Sequence, residues 1–310
     1  MTIAPDGKSL ITSIGVRESA VWIHDGKGDR PLTSQGYMPP SWTSGRFAVI
    51  PVFSRDGKSL YYLRSESPQI GADLWRTDTD SGKNEKVFSG FSILEYDVSS
   101  DGKDVVFSTE KSGEASQIWV ASLDRSSPPR LISSSGDQSP HFGSEGQIFY
   151  RAAEGKTHFL GRMNRDGSNR SRVTPYSVGN LEFISPDRSW ITAIAANDTG
   201  GGMAVPVTGE APRRICGGCP MNWSPDGKFL YVGIQPDSLT DAGKTLAIPL
   251  AAGQILPAIP ESGIESLGSS RFPGALMING YNVSPSPDPS IFAYVKTTMH
   301  RNLFRIPLRD

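Results

Sequence analysis

Ser54-Arg55-Asp56-Gly57-Lys58-Ser59-Leu60-Tyr61-Tyr62-Leu63 is a tight turn running straight into an apolar strand. The Asp56 carboxylate can accept bonds from the backbone N–H groups just ahead, and Gly57 takes the positive φ that closes the turn. Ser59 to Leu63 is rich in aromatic and aliphatic residues, which suits a strand. A polar loop, Arg64 to Ala72, follows. Asp73-Leu74-Trp75-Arg76-Thr77 reads as a second strand, Asp78 to Asn84 as a turn, and Glu85-Lys86-Val87-Phe88 as a short outer strand. Leu94-Glu95-Tyr96-Asp97-Val98 then leads into the next copy of the turn.

Full or worn copies of the turn stand at Ala4-Pro5-Asp6-Gly7-Lys8, Ser99-Ser100-Asp101-Gly102-Lys103, Gly143-Ser144-Glu145-Gly146, Ser185-Pro186-Asp187-Arg188, Ser224-Pro225-Asp226-Gly227-Lys228 and Ser286-Pro287-Asp288-Pro289. With the copy at Asp56 the acidic positions are 6, 56, 101, 145, 187, 226 and 288, spaced 50, 45, 44, 42, 39 and 62. A period near 40 to 50 built from strands and turns is the signature of a β-propeller. The expected fold is all-β: a seven-bladed propeller of four-stranded antiparallel blades, one domain over 1–310. With strands lettered A to D from the channel outward, strand A is missing before Ala4 and strand D after Leu308. The first and last blades are therefore expected to be incomplete, in a chain cut from a longer protein or a ring that closes imperfectly. Turn formation accounts for Asp6, Asp56, Asp101, Asp187, Asp226 and Asp288, which are read as structural and not as a metal series.

Each second strand carries an apolar pair, as at Val21-Trp22, Leu74-Trp75, Ile118-Trp119 and Leu303-Phe304. Near-continuous apolar strands imply a sheet covered on both faces by neighbouring blades, so the ring should fold as a unit. Removing Trp75 or Trp119 is expected to cost about 3–5 kcal/mol.

Lys and Arg number 31, Asp and Glu 32, for a net charge of -1. The nearest approaches to a basic run, Arg170-Ser171-Arg172 and Arg213-Arg214, sit at strand edges. A nucleic-acid binder shows a basic face or stripe, so nucleic acid is not an expected partner. Nothing approaches the ~18 consecutive apolar residues of a membrane span. Met1 to Asp6 lacks the charged and apolar regions of a signal peptide. A monomer binding an unidentified protein or small molecule is expected.

Cys216-Gly217-Gly218-Cys219 invites a redox or metal reading. A thioredoxin-type pair needs a helix starting at the motif, whereas Pro220 and a strand follow. A zinc site needs four ligands, and no second cysteine pair exists. A disulfide clasping a loop, two free thiols, or a contact on the ligand face remain open. No GxSxG elbow occurs, so serine hydrolase chemistry has no support. No catalytic residue, cofactor or metal ligand is expected.

Glu95, Asp97, Glu182 and Asn222 are candidates for the channel wall. Two insertions, Ser34–Arg46 and Ala251–Gly274, lie on the face shared by the D–A and B–C loops, where function is expected. The face of the Asp-Gly turns is expected to be purely structural. Candidate binding residues are Tyr37, Trp42, His141, Tyr176, Cys216, Cys219 and Phe272. Deleting 251–274 is expected to abolish partner capture and leave the fold intact.

The repeat Ser-Pro-Asp-Gly-Lys, an aliphatic-aromatic strand, Ile-Trp or Leu-Trp and then Arg-Leu-Thr resembles the TolB-like propeller family across the whole chain. Leu246-Ala247-Ile248-Pro249-Leu250, Ile278-Asn279-Gly280 and Arg301 to Leu308 are similar to the C-terminal propellers of bacterial receptor-type serine/threonine kinases. No kinase Gly-rich loop, His-Arg-Asp or Asp-Phe-Gly occurs, so no kinase residue carries over. The resemblance implies a sensor or docking module outside the cytoplasm, in the periplasm. Its alternatives are an envelope scaffold of the TolB kind and a propeller lyase or hydrolase.

Overall fold

The computed structural model describes residues 2–33, 51–65, 72–110, 113–196, 201–234, 243–264 and 272–308. No helix among them is long and apolar enough to cross a membrane.

The chain opens with β1 (Thr2–Ile3), β2 (Ser9–Asp25) and β3 (Gly28–Pro31). One blade is β4 (Val52–Phe53), β5 (Ser59–Arg64), β6 (Ala72–Asp78) and the start of β7 (Asn84–Val98). The end of β7 begins the next, with β8 (Asp104–Thr109), β9 (Gln117–Ser122) and β10 (Arg130–Ser133). A third is β11 (Gln138–Phe142), β12 (Gln147–Glu154), β13 (Thr157–Asn164) and β14 (Ser171–Arg172). A fourth is β15 (Val178–Ile184), β16 (Trp190–Ala195), β17 (Gly202–Pro206) and β18 (Arg213–Cys216). A fifth is β19 (Met221–Trp223), β20 (Phe229–Ile234), β21 (Lys244–Pro249) and β22 (Leu276–Asn279). The chain ends with β23 (Ser284–Pro285) and β24 (Phe292–Pro307).

The turn at Asp56 shows why the blades start where they do. Ser54 Oγ donates to Asp56 Oδ1 at 2.6 Å and accepts from Ser59 N at 2.9 Å. Lys58 N donates to the same carboxylate at 3.1 Å, and Gly57 has φ 73°. The same bonds recur at Ser99 with Asp101 and at Ser224 with Asp226.

The two chain ends do not form two incomplete blades. β2 and β24 pair antiparallel from Ser9↔Pro307 to His24↔Phe292. The inner half of this ladder, flanked by β23 and β3, is one four-stranded blade built from both termini. The expectation of seven blades is thereby corrected: the described residues form six four-stranded units. The outer half of the ladder, with β1, extends beyond the ring as a ribbon. Leu303 and Phe304, expected in a blade core, are 80% and 41% exposed on it.

Six apolar clusters fill the six interfaces. Val21, Ile23 and Ala293 of the closing blade pack on Phe53, Leu60 and Tyr62. On the other side, Phe292 of that blade packs with Tyr231, Ala247 and Ile278. Four more clusters join the remaining neighbours, so the ring is closed. In the pairs Val21-Trp22, Leu74-Trp75 and Ile118-Trp119 the first residue is fully buried, whereas Trp22, Trp75 and Trp119 are only partly buried.

The insertion after β21 is part of this core. Ile264 N donates to Ile215 O at 2.6 Å, Trp223 Nε1 donates to Ile255 O at 2.8 Å, and Ile264 and Phe272 are buried. Deleting 251–274 would strip one side of that cluster, contrary to the expectation that the fold would survive it.

Candidate functional site

The innermost strands of all six blades converge on an axial cavity of about 120 Å³. Asp97 comes from β7, His141 from β11, Glu182 from β15 and Asn222 from β19. Ser54, Ser99, Pro186 and Pro225 bring the Asp-Gly turns into the same lining. The cavity thus reaches the face that the repeat alone would mark as purely structural.

Arg188 is the residue that sequence reasoning missed. It occupies the position held by Gly57, Gly102 and Gly227 in the sister turns, and its φ of 64° matches their 73°, 68° and 74°. A non-glycine side chain in this left-handed region costs on the order of 1–3 kcal/mol and persists where surrounding structure enforces it. Here the guanidinium donates to Asp97 Oδ2 at 3.3 Å and to Phe142 O at 3.2 Å, tying the turn to two other blades. Phe142 N in turn donates to Asp97 Oδ2 at 2.8 Å. The signal was present in the sequence as the one copy where Arg follows the Asp.

His141 is 4% exposed and neither ring nitrogen has a hydrogen-bond partner. Burial pushes its imidazole below the usual range; Asp97 and Glu95 oppose this and Arg188 adds to it. Glu95 accepts from Ser108 Oγ, Ser139 N and Ser139 Oγ at 2.7–2.8 Å. Glu182 is buried in the same wall. Carboxylate, imidazole and guanidinium groups therefore meet at one cavity. Among the described residues no group of three or more His, Cys, Asp and Glu is placed to hold a metal ion.

The remaining sequence candidates lie elsewhere. Cys216 and Cys219 are joined by a disulfide and buried with Phe272 in one core cluster. Tyr176 donates its hydroxyl to Glu210 O at 2.6 Å and lies against another cluster. Tyr37 and Trp42 fall outside the described residues. A larger groove of about 880 Å³ runs beside Phe292, Tyr294 and Asn279 on the outside of the ring. There His24 Nδ1 is held at 2.8 Å from Asp29 Oδ1 and its ring stacks on Phe292.

No family model matches the chain. An uncharacterized protein of Agrobacterium fabrum is 27% identical over 239 residues, covering 76% of this chain and 69% of its own. A TolB candidate from Agrobacterium tumefaciens superposes with a TM-score of 0.60 at 18% identity, over 91% of this chain and 99% of that one. TolB from Acinetobacter baumannii gives 0.55 at 12% identity, over 75% and 61%. The fold is that of the TolB-like β-propellers. At such identities the likeness is one of fold, and the chemistry of this ring must be argued from its own cavity.

Proposed function

We propose that this chain is a non-enzymatic binding propeller that takes its ligand in the axial cavity. The observation supporting this is Arg188, a large side chain held in a glycine's conformation so that it reaches the cavity wall. Proton-transfer catalysis asks for a base oriented by a third group. His141 has no such partner, while Asp97 and Arg188 are engaged with each other and with backbone. That favours binding over catalysis. The sequence resemblance of the last third adds the finer proposal of a periplasmic sensor belonging to a longer signalling protein such as a receptor-type kinase. A second reading, a scaffold tethering envelope proteins, is favoured by the fold likeness to TolB.

Native mass spectrometry of the full chain, purified without denaturant, tests the cavity. The expected result is a bound small molecule that disappears when Asn222→Phe fills the channel. An empty cavity together with a pull-down that returns an outer-membrane lipoprotein would replace this reading with the scaffold.

A further inference from the structure

We propose that the open edge of β24 is a second docking surface, outside the ring, and that it takes an extended acidic peptide segment as an added strand. It is separate from the axial cavity and stands whether or not that cavity holds a ligand. Only Phe292 and Ala293 of β24 pair with β23. From Tyr294 to Pro307, on the side of β24 away from β2, no strand among the described residues pairs with it. No described loop bonds to that stretch through the backbone either. The unpaired N–H and C=O groups of such an edge are a template for another chain. Natural edges are blunted by short strands, by bulges or by a covering element. This edge is long, and its register with β2 runs unbroken from Ser9↔Pro307 to His24↔Phe292. It also leaves Leu303, Phe304 and Ile306 exposed.

Charge selects the occupant. From Tyr294 to Leu308 the sequence holds Lys296, Arg301 and Arg305 and no Asp or Glu. From Ser9 to Val21 the neighbouring strand holds only Arg17 and Glu18, which cancel. Asp6 offsets Arg305. Lys296 is exposed, lies 4.5 Å from the Trp22 ring and has no carboxylate partner among the described residues. Pairing this edge with the same edge of a second copy would bring cations against cations, which is destabilising. An acidic strand is attracted instead. Alternation adds to the match. Phe304 and Ile306 share one face of the ribbon with Leu10 and Ile3, and Arg305 lies on the other. A strand alternating apolar residues with Asp or Glu would extend the apolar face and set its carboxylates on the side of Arg305. The edge begins in the groove of about 880 Å³, whose lining includes Tyr294 and Lys296. Met277 and Phe292 offer apolar contact there, so one end of the peptide meets a pocket as well as a ladder.

The test is fluorescence anisotropy of three labelled peptides of about nine residues, each titrated with the full chain. One alternates valine with glutamate, one alternates valine with lysine, and the third is the glutamate peptide with two adjacent central backbone amides N-methylated. Only the first is expected to bind saturably, and more weakly as salt is raised. Ending the chain after Thr298 should weaken it about tenfold or more. Lys296→Glu combined with Arg301→Glu should move the preference to the lysine peptide. Should either variant fold poorly, the three peptides on the unaltered chain decide alone. Equal binding of the lysine or the N-methylated peptide overturns the proposal, as does binding that a folded, truncated chain retains in full. Binding of no peptide overturns it too; a dimer in sedimentation that the truncation dissolves would then assign the edge to a second copy.

Discussion

Gly57 and Arg188 solve the same backbone problem with opposite side chains. At Gly57, φ is 73° and an added Cβ would meet Pro287 Cδ at 3.4 Å. Gly57→Ala is expected to cost about 1 kcal/mol or more, read from the shift in urea midpoint at constant slope. Acid should act through the turn carboxylates. Bonds from Ser54 and Lys58 N hold Asp56 below its ordinary 3.8, and Ser122 and Ser126 bring Asp124 down to about 2. A depressed carboxylate stabilises the fold above 3.8 and loses that contribution as pH falls toward about 2. Urea midpoints should therefore drop between pH 4.5 and 2, less steeply in Asp56→Asn. His141 adds a separate step. Below 6.5 the unfolded chain takes up a proton that the buried imidazole resists. Asp97 and Glu95 act on it in the opposite direction and moderate the effect, while Arg188 reinforces it. Midpoints should fall from pH 7.5 to 5.5 in the parent and stay flatter in His141→Phe.

The strands were legible because an apolar pair after each loop repeats at a fixed place. Which member of the pair carries the packing was not, since Leu and Trp are both apolar. The structure puts Leu74 wholly inside, while Trp75 lies at the edge with Arg64 and Lys86 each 5.3 Å from its ring. Leu74→Ala is expected to cost about 2–5 kcal/mol, and Trp75→Ala less than Leu74→Ala, reversing the order that side-chain size suggests. Thermal or urea unfolding of the two variants measures this directly. The channel wall was legible in part: Asp97, Glu182 and Asn222 follow from strand A facing the axis. Arg188 was not, because a repeat read for its consensus hides the copy that departs from it. Cys216 and Cys219 were placed on a binding face because the segment between them looked like a loop, and Phe272 because the insertion did. Its Ile255, Ile264 and Phe272 make it a lid on the core.

Seven turns accompany six blades among the described residues because a turn copy marks a strand hairpin, wherever that hairpin lies. The copy at Asp6 joins β1 to β2 in the ribbon outside the ring, where Arg305 pairs with Asp6. Closure therefore depends on a short register, Ala20↔Lys296 to His24↔Phe292, in which Ala293 is fully buried and also pairs with Ser284. Opening that seam would uncover two blade faces at once, those of the Val21 and Tyr231 clusters, and no blade covers its own faces. Ala293→Asp buries an uncompensated charge there and should cost about 3 kcal/mol or more. Ending the chain after Thr298 removes Leu303, Phe304, Ile306 and Leu308, all exposed, and leaves the closing register whole. Urea unfolding should then show a single transition in the parent and in the truncated chain, with similar midpoints, and a much lower midpoint in Ala293→Asp. A truncated chain as unstable as Ala293→Asp would mean that the ribbon, and not the four-stranded blade, is what holds the ring shut.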